Sequence, residues 1–303
     1  IFLHNSVQTA VVNKIRVLYP LHIIQFLSVL HVVYSKAVLF VCVFFRRSER
    51  PHYVKGLVTG GASGLGRGTA EHLIKQGGRI VICDLPNSKG HEVAKSIGEK
   101  AAFVPVDVTS ESDVKNALQA TVDKFGRLDV VVNCAGVLHG ALTYNFKKNE
   151  AYDLAAFQRV IDINLTGSFN VIRLAAGLIG KNAPDADGQR GVIVNTASIA
   201  AYDGQKGQAA YSASKGAIVG MTLPIARDLS SQGIRVVTIA PGVYSTPMTS
   251  FLDKKVSDSL ISANQFPRRA GRVEEYAMLV QHIIQNTMLN GETIRLDAAL
   301  RLP

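Results

Sequence analysis

Three side chains able to move a proton lie close together in the sequence, namely Ser198, Tyr211 and Lys215. Tyr211 and Lys215 are four residues apart, which places both on one face of a helix. A free tyrosine has a pKa of about 10 and is a poor base at neutral pH, whereas a nearby ammonium group stabilises the phenolate and lowers that pKa. The spacing alone is common in helices. Because Ser198 follows an apolar run and precedes Tyr211 by thirteen residues, the three together predict a general acid–base site that acts on a hydroxyl group.

A glycine-rich segment, Thr59-Gly60-x-x-x-Gly64-x-Gly66, lies between a short β-branched run and an amphipathic stretch. Glycines allow a tight turn and a close approach of the backbone to a pyrophosphate, which then lies against a helix N-terminus. A glycine-rich turn without a ligand is the alternative. The strand-to-helix context favours a dinucleotide site.

Asp84 follows the next apolar run, eighteen residues after Gly66. An acid at about this spacing reaches the adenosine ribose hydroxyls of a dinucleotide. Its charge would repel the 2′-phosphate of NADP, so the sequence predicts NAD as the cofactor. The alternative is an exposed aspartate at the end of a strand.

Short, continuous apolar runs alternate with amphipathic stretches through the rest of the chain. Six predicted strands cover residues 57–59, 79–85, 101–107, 128–133, 192–196 and 234–240. Continuous apolar runs are typical of parallel strands buried on both faces. One predicted helix ends at Gln76; another runs to Lys124 from a cap at Ser110, with Asp113 completing a capping box. The pattern predicts an α/β fold, a doubly wound parallel (Rossmann) sheet in one domain over residues 53–303.

Composition excludes several other classes of protein. Hydrophobic residues make up 47% of the 303 residues and charged residues 18%, which is a globular composition. The three cysteines, Cys42, Cys83 and Cys134, are too few and too scattered for a disulfide framework or a zinc site. The eight histidines include no metal-binding spacing such as HExxH. We therefore expect no metal.

Residues 1–52 have a different character. Residues 1–55 contribute +6 of the net charge of +10, so basicity gives little support for a nucleic-acid partner. Residues 17–45 are almost long and apolar enough for a membrane helix, but Pro20, His22, His31 and Lys36 count against burial in lipid. A translated non-coding stretch or fragment start, a targeting or anchor segment, and an ordinary structural appendage are the three interpretations. We treat residues 1–52 as a hydrophobic, basic extension outside the fold.

Taken in order, the motifs resemble those of the short-chain dehydrogenase/reductase family. They are the glycine segment, Asn133-Cys134-Ala135-Gly136, Ser198, Tyr211-x-x-x-Lys215 and Pro241-Gly242. Asn164, in Ile-Asp-Ile-Asn-Leu-Thr-Gly, matches the family's fourth catalytic residue. The resemblance covers about residues 54–303.

The resemblance implies a role for each matching residue. Tyr211 is the general base in oxidation, Lys215 lowers its pKa and holds the nicotinamide ribose, Ser198 binds the substrate oxygen, and Asn164 positions a water. The implied cofactor contacts are Gly60, Ser63, Gly64, Leu65, Gly66, Asp84, Asp107, Val108, Cys134, Tyr211, Lys215, Tyr244 and Thr246. Cys134 is expected to be a small buried residue beside the cofactor, without thiol chemistry.

Longer stretches resemble the branch of this family that acts on 3-hydroxyacyl-CoA and 17β-hydroxysteroids. They are residues 60–66, 83–88, 208–216, 220–228 and 290–297. The resemblance implies a mitochondrial, NAD-dependent homotetramer that interconverts 3-hydroxyacyl-CoA and 3-oxoacyl-CoA and also oxidises hydroxysteroids. It further implies a second, non-catalytic role with partner proteins in mitochondrial tRNA processing. A membrane-anchored steroid or retinol dehydrogenase, with residues 17–45 as its anchor, is the alternative enzyme.

Three positions lead to further expectations. Lys147 and Lys148 are candidates to bind the phosphates of coenzyme A, although a solvated loop explains them equally well. The first strand is about three residues shorter than in the family branch, which would weaken folding and cofactor binding unless Lys55 and Gly56 enter the strand. Ala298 stands where a glycine is usual, and we expect little effect.

Overall fold

The computed structural model describes residues 54–250 and 254–302, all within one compact unit, His52–Pro303. The predicted extension, its boundary with the domain and the candidate anchor at residues 17–45 lie outside the described residues. Within the described ranges, no helix combines the length and hydropathy needed to cross a membrane.

Seven strands of the described chain form one sheet in which every neighbouring pair is parallel. These strands are β1 (Lys55–Thr59), β2 (Arg79–Asp84), β3 (Ala101–Pro105), β4 (Val130–Asn133), β7 (Gly191–Thr196), β8 (Ile234–Pro241) and β9 (Thr293–Leu296). A separate antiparallel hairpin consists of β5 (Tyr144–Asn145) and β6 (Glu150–Ala151). The order in the sheet is β3-β2-β1-β4-β7-β8-β9, which confirms the predicted doubly wound sheet. β9 and the hairpin are strands that the sequence did not predict.

Helices connect the strands and cover both faces of the sheet. Those described are α1 (Gly64–Lys75), α2 (Gly90–Ile97), α3 (Glu111–Phe125), α4 (Leu154–Ile161), α5 (Ser168–Ile179), α6 (Ala209–Leu229), α7 (Pro247–Ser250), α8 (Lys254–Ser262) and α9 (Val273–Gln285). A π-helical segment, Asp162–Gly167, joins α4 to α5, and a 3-10 turn, Ile199–Ala201, follows β7.

Two hydrophobic cores hold the layers together, one on each face of the sheet. The first contains Val58 and Ile82 from the sheet and Leu73 and Tyr276 from α1 and α9. The second packs residues of α3, α5 and α6 against the opposite face. Both faces of the central strands are therefore buried, which is why their sequences are continuously apolar.

Strand β1 includes the two residues about which the sequence was ambiguous. Lys55 pairs with Arg79 and Gly56 pairs with Ile80, so β1 has five residues rather than the three predicted. The Lys55 amide donates to Asp129 Oδ2 over 2.9 Å. A Cβ on Gly56 would lie 3.1 Å from the Val130 carbonyl oxygen, so a residue without a side chain suits this central position. Because Lys55 and Gly56 are part of the strand, β1 pairs with β2 over five residues and with β4 over four.

The predicted cap of α3 at Ser110 is present, but the capping box is not, because the Ser110 amide donates to the Asp107 carbonyl rather than to the Asp113 side chain. The Ser110 side chain accepts a hydrogen bond from the Asp113 amide over 3.2 Å, and Asp113 Oδ2 accepts from the Asp107 amide. The helix ends at Phe125, one residue beyond the prediction, because Gly126 adopts a left-handed conformation with φ of 85°.

Ala298 has a φ of 53° and the adjacent Ala299 has a φ of 58°. Although the sequence suggested that alanine at position 298 has little effect, this backbone conformation should lower the stability of the fold. A left-handed conformation costs an L-residue about 1–2 kcal/mol, a cost that glycine does not bear. We expect Ala298→Gly to raise the free energy of unfolding by about 0.5–1 kcal/mol, after the larger entropy of glycine in the unfolded chain is subtracted.

Urea denaturation would measure this change. Ala120→Gly is the matched control, because Ala120 lies within α3 and a helical glycine costs about 1 kcal/mol. A loss of stability in Ala298→Gly similar to that in the control would contradict the prediction.

The connections reverse direction between β1 and β4. Chain order runs outward from β1 to β2 and β3 on one side, and from β4 to β7, β8 and β9 on the other. Loops that leave the carboxyl ends of β1 and β4 therefore diverge, and a crevice opens between them. The predicted site residues lie along this crevice.

Candidate active site

The glycine turn joins β1 to α1 and leaves no space for side chains. Gly60 has a φ of 62°, and a Cβ there would lie 2.8 Å from the Ala135 amide nitrogen. A Cβ on Gly66 would lie 2.3 Å from the Gly60 carbonyl oxygen. Ser63, which precedes α1, makes no capping side-chain bond in the described structure, so the first amides of α1 lack that partner. The turn therefore fits an anionic group such as a pyrophosphate.

Asp84 ends β2 and is bound to the glycine turn. Its Oδ2 accepts from the Ala62 amide over 3.0 Å and its Oδ1 from the Leu85 amide over 2.8 Å. The carboxylate is thus held by backbone donors at the outer end of the crevice, where it lines the wall. This position fits the prediction that it faces an adenosine ribose.

Asp107 and Val108 follow β3 and line the crevice beyond Asp84. Asp107 Oδ1 accepts from the amide and hydroxyl of Thr109. The Val108 carbonyl accepts from Asn170 Nδ2 over 3.0 Å. Both residues are therefore fixed by neighbours on the side where the base of a dinucleotide would lie.

Cys134 lies directly after β4 on the floor of the crevice. The Thr59 hydroxyl accepts from the amides of Cys134 and Ala135, each over 3.2 Å. Burial raises the pKa of the Cys134 thiol, which keeps it protonated at neutral pH. These features fit the expectation of a packing residue without thiol chemistry.

Ser198, Tyr211 and Lys215 meet at the carboxyl end of β7. Ser198 begins the 3-10 turn after the strand and its Oγ accepts from the Ala200 amide over 3.1 Å. Tyr211 and Lys215 lie one turn apart on α6, with Lys215 Nζ 5.7 Å from the centre of the Tyr211 ring. Ser198 and Tyr211 line the same part of the cleft, and hydrogen bonding to Ser198 acts to lower the pKa of the Tyr211 phenol. The structure thus brings together the three residues that the sequence grouped.

The pKa of Tyr211 is set by burial and by Ser198. Burial raises this pKa above its ordinary value, and the hydrogen bond from Ser198 opposes that rise. Lys215 was predicted to lower it, but Lys215 Nζ donates instead to the Thr196 carbonyl over 2.7 Å. The effect of Lys215 on the pKa of Tyr211 therefore stays a prediction, with Nζ 5.7 Å from the centre of the Tyr211 ring.

Lys215 is buried, with 4% of its surface exposed. Loss of solvation lowers its pKa from 10.5 to about 8, an effect that Cys134 would oppose only in its ionised form. The ammonium form is therefore held at a cost in solvation.

This shift predicts a pH dependence of stability. Between pH 8 and 10.5 the unfolded chain binds more protons at Lys215 than the folded protein does, so the free energy of unfolding rises with pH. The stability difference between the wild type and Lys215→Met should accordingly shift in favour of the wild type across this range. Urea denaturation at several pH values measures it, with the exposed Lys181→Met as control. A difference that is constant, or that shifts towards Lys215→Met, would refute the prediction.

Asn164 lies behind this group, fully buried in the π-helical segment. Its Oδ1 accepts from the Val137 amide over 2.8 Å, and its Nδ2 donates to the Val137 carbonyl and to Ser214 Oγ over 2.9 and 3.0 Å. Both amide hydrogens are used, so the side chain can only accept a further bond. A Cβ on Gly136 would lie 3.2 Å from Asn164 Oδ1 and 3.6 Å from Lys215 Nζ. A glycine at position 136 therefore keeps open the space between Asn164 and Lys215.

Tyr244 and Thr246 follow β8 and form the opposite wall. Tyr244 is 6% exposed, and its hydroxyl donates to the Leu296 carbonyl over 3.3 Å. Burial raises the pKa of Tyr244, so the phenol is neutral. Thr246 packs across the crevice onto Gly64, where a Cβ would lie 3.4 Å from the threonine Cβ.

All these elements enclose a cleft of about 730 Å³. It is lined by every cofactor-binding residue predicted from the sequence, as well as by Ser198, Tyr211 and Lys215. Of the predicted catalytic and cofactor-binding residues, Asn164 alone lies outside the lining. Lys147 and Lys148 lie on the exposed β5–β6 hairpin and do not line the cleft either. Among the described residues, no group of three or more His, Cys, Asp or Glu side chains could hold a metal ion.

Several residues of the cleft were not predicted. Thr196, at the end of β7, provides the carbonyl that binds Lys215. Its hydroxyl donates to the Asn133 carbonyl over 2.6 Å and lies 2.7 Å from the Tyr276 hydroxyl. Its place just before Ser198 is the only sequence signal that could have indicated it. The other lining residues that were not predicted include Arg159 on α4, Val256 and Leu260 on α8, and Leu302; their spacing in the sequence gives no pattern.

Comparison with known proteins decides the family. Residues 56–257 match the short chain dehydrogenase family. The chain belongs to the short-chain dehydrogenases. It is therefore an oxidoreductase, as the motifs predicted.

Individual members of the family are similar over most of the chain. A Drosophila melanogaster 3-hydroxyacyl-CoA dehydrogenase type-2 is 65% identical over 246 residues, which is 81% of this chain and 96% of that protein. The Homo sapiens protein of the same name is 60% identical over 252 residues, 82% of this chain and 97% of that one. A crystal structure of 3-hydroxyacyl-CoA dehydrogenase type-2 from Mycobacterium avium has a TM-score of 0.80 at 38% identity, covering 84% of this chain and 98% of that one. The resemblance to this branch of the family is thus confirmed.

Proposed function

We propose that the protein is an NAD-dependent dehydrogenase that interconverts 3-hydroxyacyl-CoA and 3-oxoacyl-CoA, and that it also accepts hydroxysteroids. The observation that carries the proposal is the placement of Ser198, Tyr211 and Lys215 beside a cleft whose glycine turn fits a dinucleotide. The substrate class is supported by the names of relatives that are 60–65% identical over nearly their whole length.

The cofactor fits the residues that are present. Gly60 and Gly66 leave the pyrophosphate position free of side chains, and the first amides of α1 face it. Asp84 lies where it would bind the adenosine ribose hydroxyls, and its charge disfavours a 2′-phosphate. A bound nicotinamide supplies a hydride acceptor in oxidation and a hydride donor in reduction.

The chain's own residues provide the proton chemistry. In oxidation the Tyr211 phenolate takes the proton of the substrate hydroxyl, and in reduction the neutral phenol returns it. Ser198 donates a hydrogen bond to the substrate oxygen and stabilises its developing charge. Because burial raises the pKa of Tyr211, the phenol, which is the form that donates a proton in reduction, dominates at neutral pH.

An assay of the full chain with acetoacetyl-CoA tests the proposal. We expect oxidation of NADH, with a clear preference for NADH over NADPH. No turnover of acetoacetyl-CoA in a protein that binds NADH would reject the substrate class, and a preference for NADPH would reject the role of Asp84.

The resemblance also leads us to propose a mitochondrial location and a homotetrameric assembly. Cell fractionation tests the location, and sedimentation of the purified protein tests the assembly. A monomer, or an enzyme found only outside mitochondria, would reject the corresponding part of the proposal.

A further inference from the structure

Two cationic side chains line the part of the cleft around β7. Arg159 lies on α4, in the connection from β4 to β7, and Lys206 lies in the connection from β7 to α6. These two connections flank the carboxyl end of β7, where the Ser198–Tyr211 pair is found. Both side chains are exposed at the cleft. Two positive charges therefore lie in the part of the cleft that also contains Ser198 and Tyr211.

Neither cation is neutralised by a carboxylate among the described residues. The acid nearest to Arg159 on its own segment, Asp162, accepts from Gln158 over 2.8 Å. The acid nearest to Lys206 in sequence, Asp203, forms an ion pair with Arg295 over 2.6 Å. Both cations are therefore free to bind an anionic ligand.

The two carboxylates that line the cleft, Asp84 and Asp107, lie far from Arg159 and Lys206. Asp84 and Asp107 follow β2 and β3, and β2 is three strands from β7. At a strand spacing of about 4.8 Å that separation is roughly 14 Å. The β7 half of the cleft thus favours anions, whereas the β2 half does not.

The residues that line the cleft around β7 fall into two chemically different sets, which we call its two walls. One wall is apolar and consists of Val243, Met248, Val256, Leu260 and Leu302. The other is polar and consists of Arg159, Gln205, Lys206 and Gln208. The loop that carries Lys206 is held in place because the Gly207 carbonyl accepts from the Ala141 amide over 2.9 Å. Such walls suit a ligand with an apolar chain at one end and a charged group at the other.

We propose that Arg159 and Lys206 bind the phosphate groups of coenzyme A at the mouth of the cleft. This inference rests on the proposed function, because it identifies which part of an acyl-CoA each wall contacts. The acyl chain lies along the apolar wall, and the pyrophosphate and 3′-phosphate lie against the two cations. Lys147 and Lys148, the candidates from sequence, lie on the hairpin outside the cleft lining.

The test compares two thioesters with the same reacting group. S-acetoacetyl-N-acetylcysteamine has the thioester of acetoacetyl-CoA but no phosphate. The ratio of kcat/KM for acetoacetyl-CoA to kcat/KM for this short thioester measures the contribution of the phosphates. In Arg159→Glu/Lys206→Glu of the full chain we expect the ratio to fall by about tenfold or more, equivalent to about 1.4 kcal/mol. Added salt should lower the ratio in the wild type but not in this variant.

Control variants make the result specific. Lys100→Glu/Lys181→Glu changes the charge equally at exposed positions before the amino ends of β3 and β7, whereas the cleft lies at the carboxyl ends of the strands, and it should leave the ratio unchanged. Arg159→Gln/Lys206→Gln should lower the ratio by a smaller factor, and it decides the question if the glutamate variant fails to fold.

Three results would overturn the proposal. The first is an unchanged ratio in the Arg159/Lys206 variants. The second is an equal loss of activity with both thioesters, which would place these residues at the reacting end. The third is a fall in the ratio only in Lys147→Glu/Lys148→Glu, which would place the phosphates on the hairpin. If the wild type turns over neither thioester, the proposed function itself has failed, and that outcome is separate from these three.

Discussion

Replacing Tyr211 by phenylalanine should lower kcat/KM by about a thousandfold in both directions of the reaction, because the variant lacks the group that exchanges a proton with the substrate. The fold should survive, since only the hydroxyl and its hydrogen bond with Ser198 are lost, at a cost of about 1 kcal/mol. Steady-state kinetics with NADH and acetoacetyl-CoA, together with thermal unfolding, would measure both effects.

The pH dependence of the oxidation rate is an independent test of Tyr211 as the proton-transfer group. Since the pKa of Tyr211 is raised, wild-type oxidation should become faster as the pH rises through the neutral range, and the residual activity of Tyr211→Phe should not. Tyr202→Phe is the matched control, because Tyr202 is 48% exposed and does not line the cleft. Retention of more than a small fraction of activity in Tyr211→Phe would assign the proton transfer to another group.

Replacing Gly66 by alanine should abolish measurable NADH binding and destabilise the protein by about 3 kcal/mol. The added Cβ would lie 2.3 Å from the Gly60 carbonyl oxygen and 2.7 Å from its carbon. Both are backbone atoms and cannot turn aside, so the whole glycine turn would have to open. The surface that faces the pyrophosphate would then be lost together with the close contact between β1 and α1.

NADH fluorescence titration and urea denaturation would measure these two effects. Gly177→Ala is the matched control: Gly177 lies within α5, and a Cβ there would meet no atom within 4 Å. It should be neutral or stabilise the protein by up to about 1 kcal/mol. NADH binding by Gly66→Ala with wild-type affinity would show that the turn does not hold the cofactor.

The two variants test two different parts of the cleft, Tyr211→Phe the proton-transfer site and Gly66→Ala the cofactor site. Tyr211→Phe should still bind NADH, because the glycine turn is intact and only one hydroxyl group is lost, whereas Gly66→Ala should not bind it. The proposed phosphate site adds a third independent property, the discrimination between acyl-CoA and a short thioester. A single protein preparation with these variants can therefore test chemistry, cofactor binding and substrate binding separately.

The sequence alone determined six of the seven strands in the described sheet and most of the cleft. Parallel strands such as β8 are buried along their full length, and burial on both faces requires the continuous apolar runs from which they were predicted. The glycine turn and the Tyr-x-x-x-Lys pair are local patterns, and a local pattern places its own residues without information from distant parts of the chain. Asp84 was found in the same way, from its spacing within one strand–helix–strand unit.

Only the tertiary structure decided how distant segments meet. The extent of β1 depended on pairing with β2 and β4 rather than on the intrinsic preference of Lys55 or Gly56. The partner of Lys215 is the Thr196 carbonyl, a backbone group that no side-chain pattern indicates. The π-helical segment around Asn164 likewise left no signal in the sequence. Arg159 and Lys206 line one cleft although 47 positions separate them, because contacts between distant segments depend on the packing of the whole sheet and its helices.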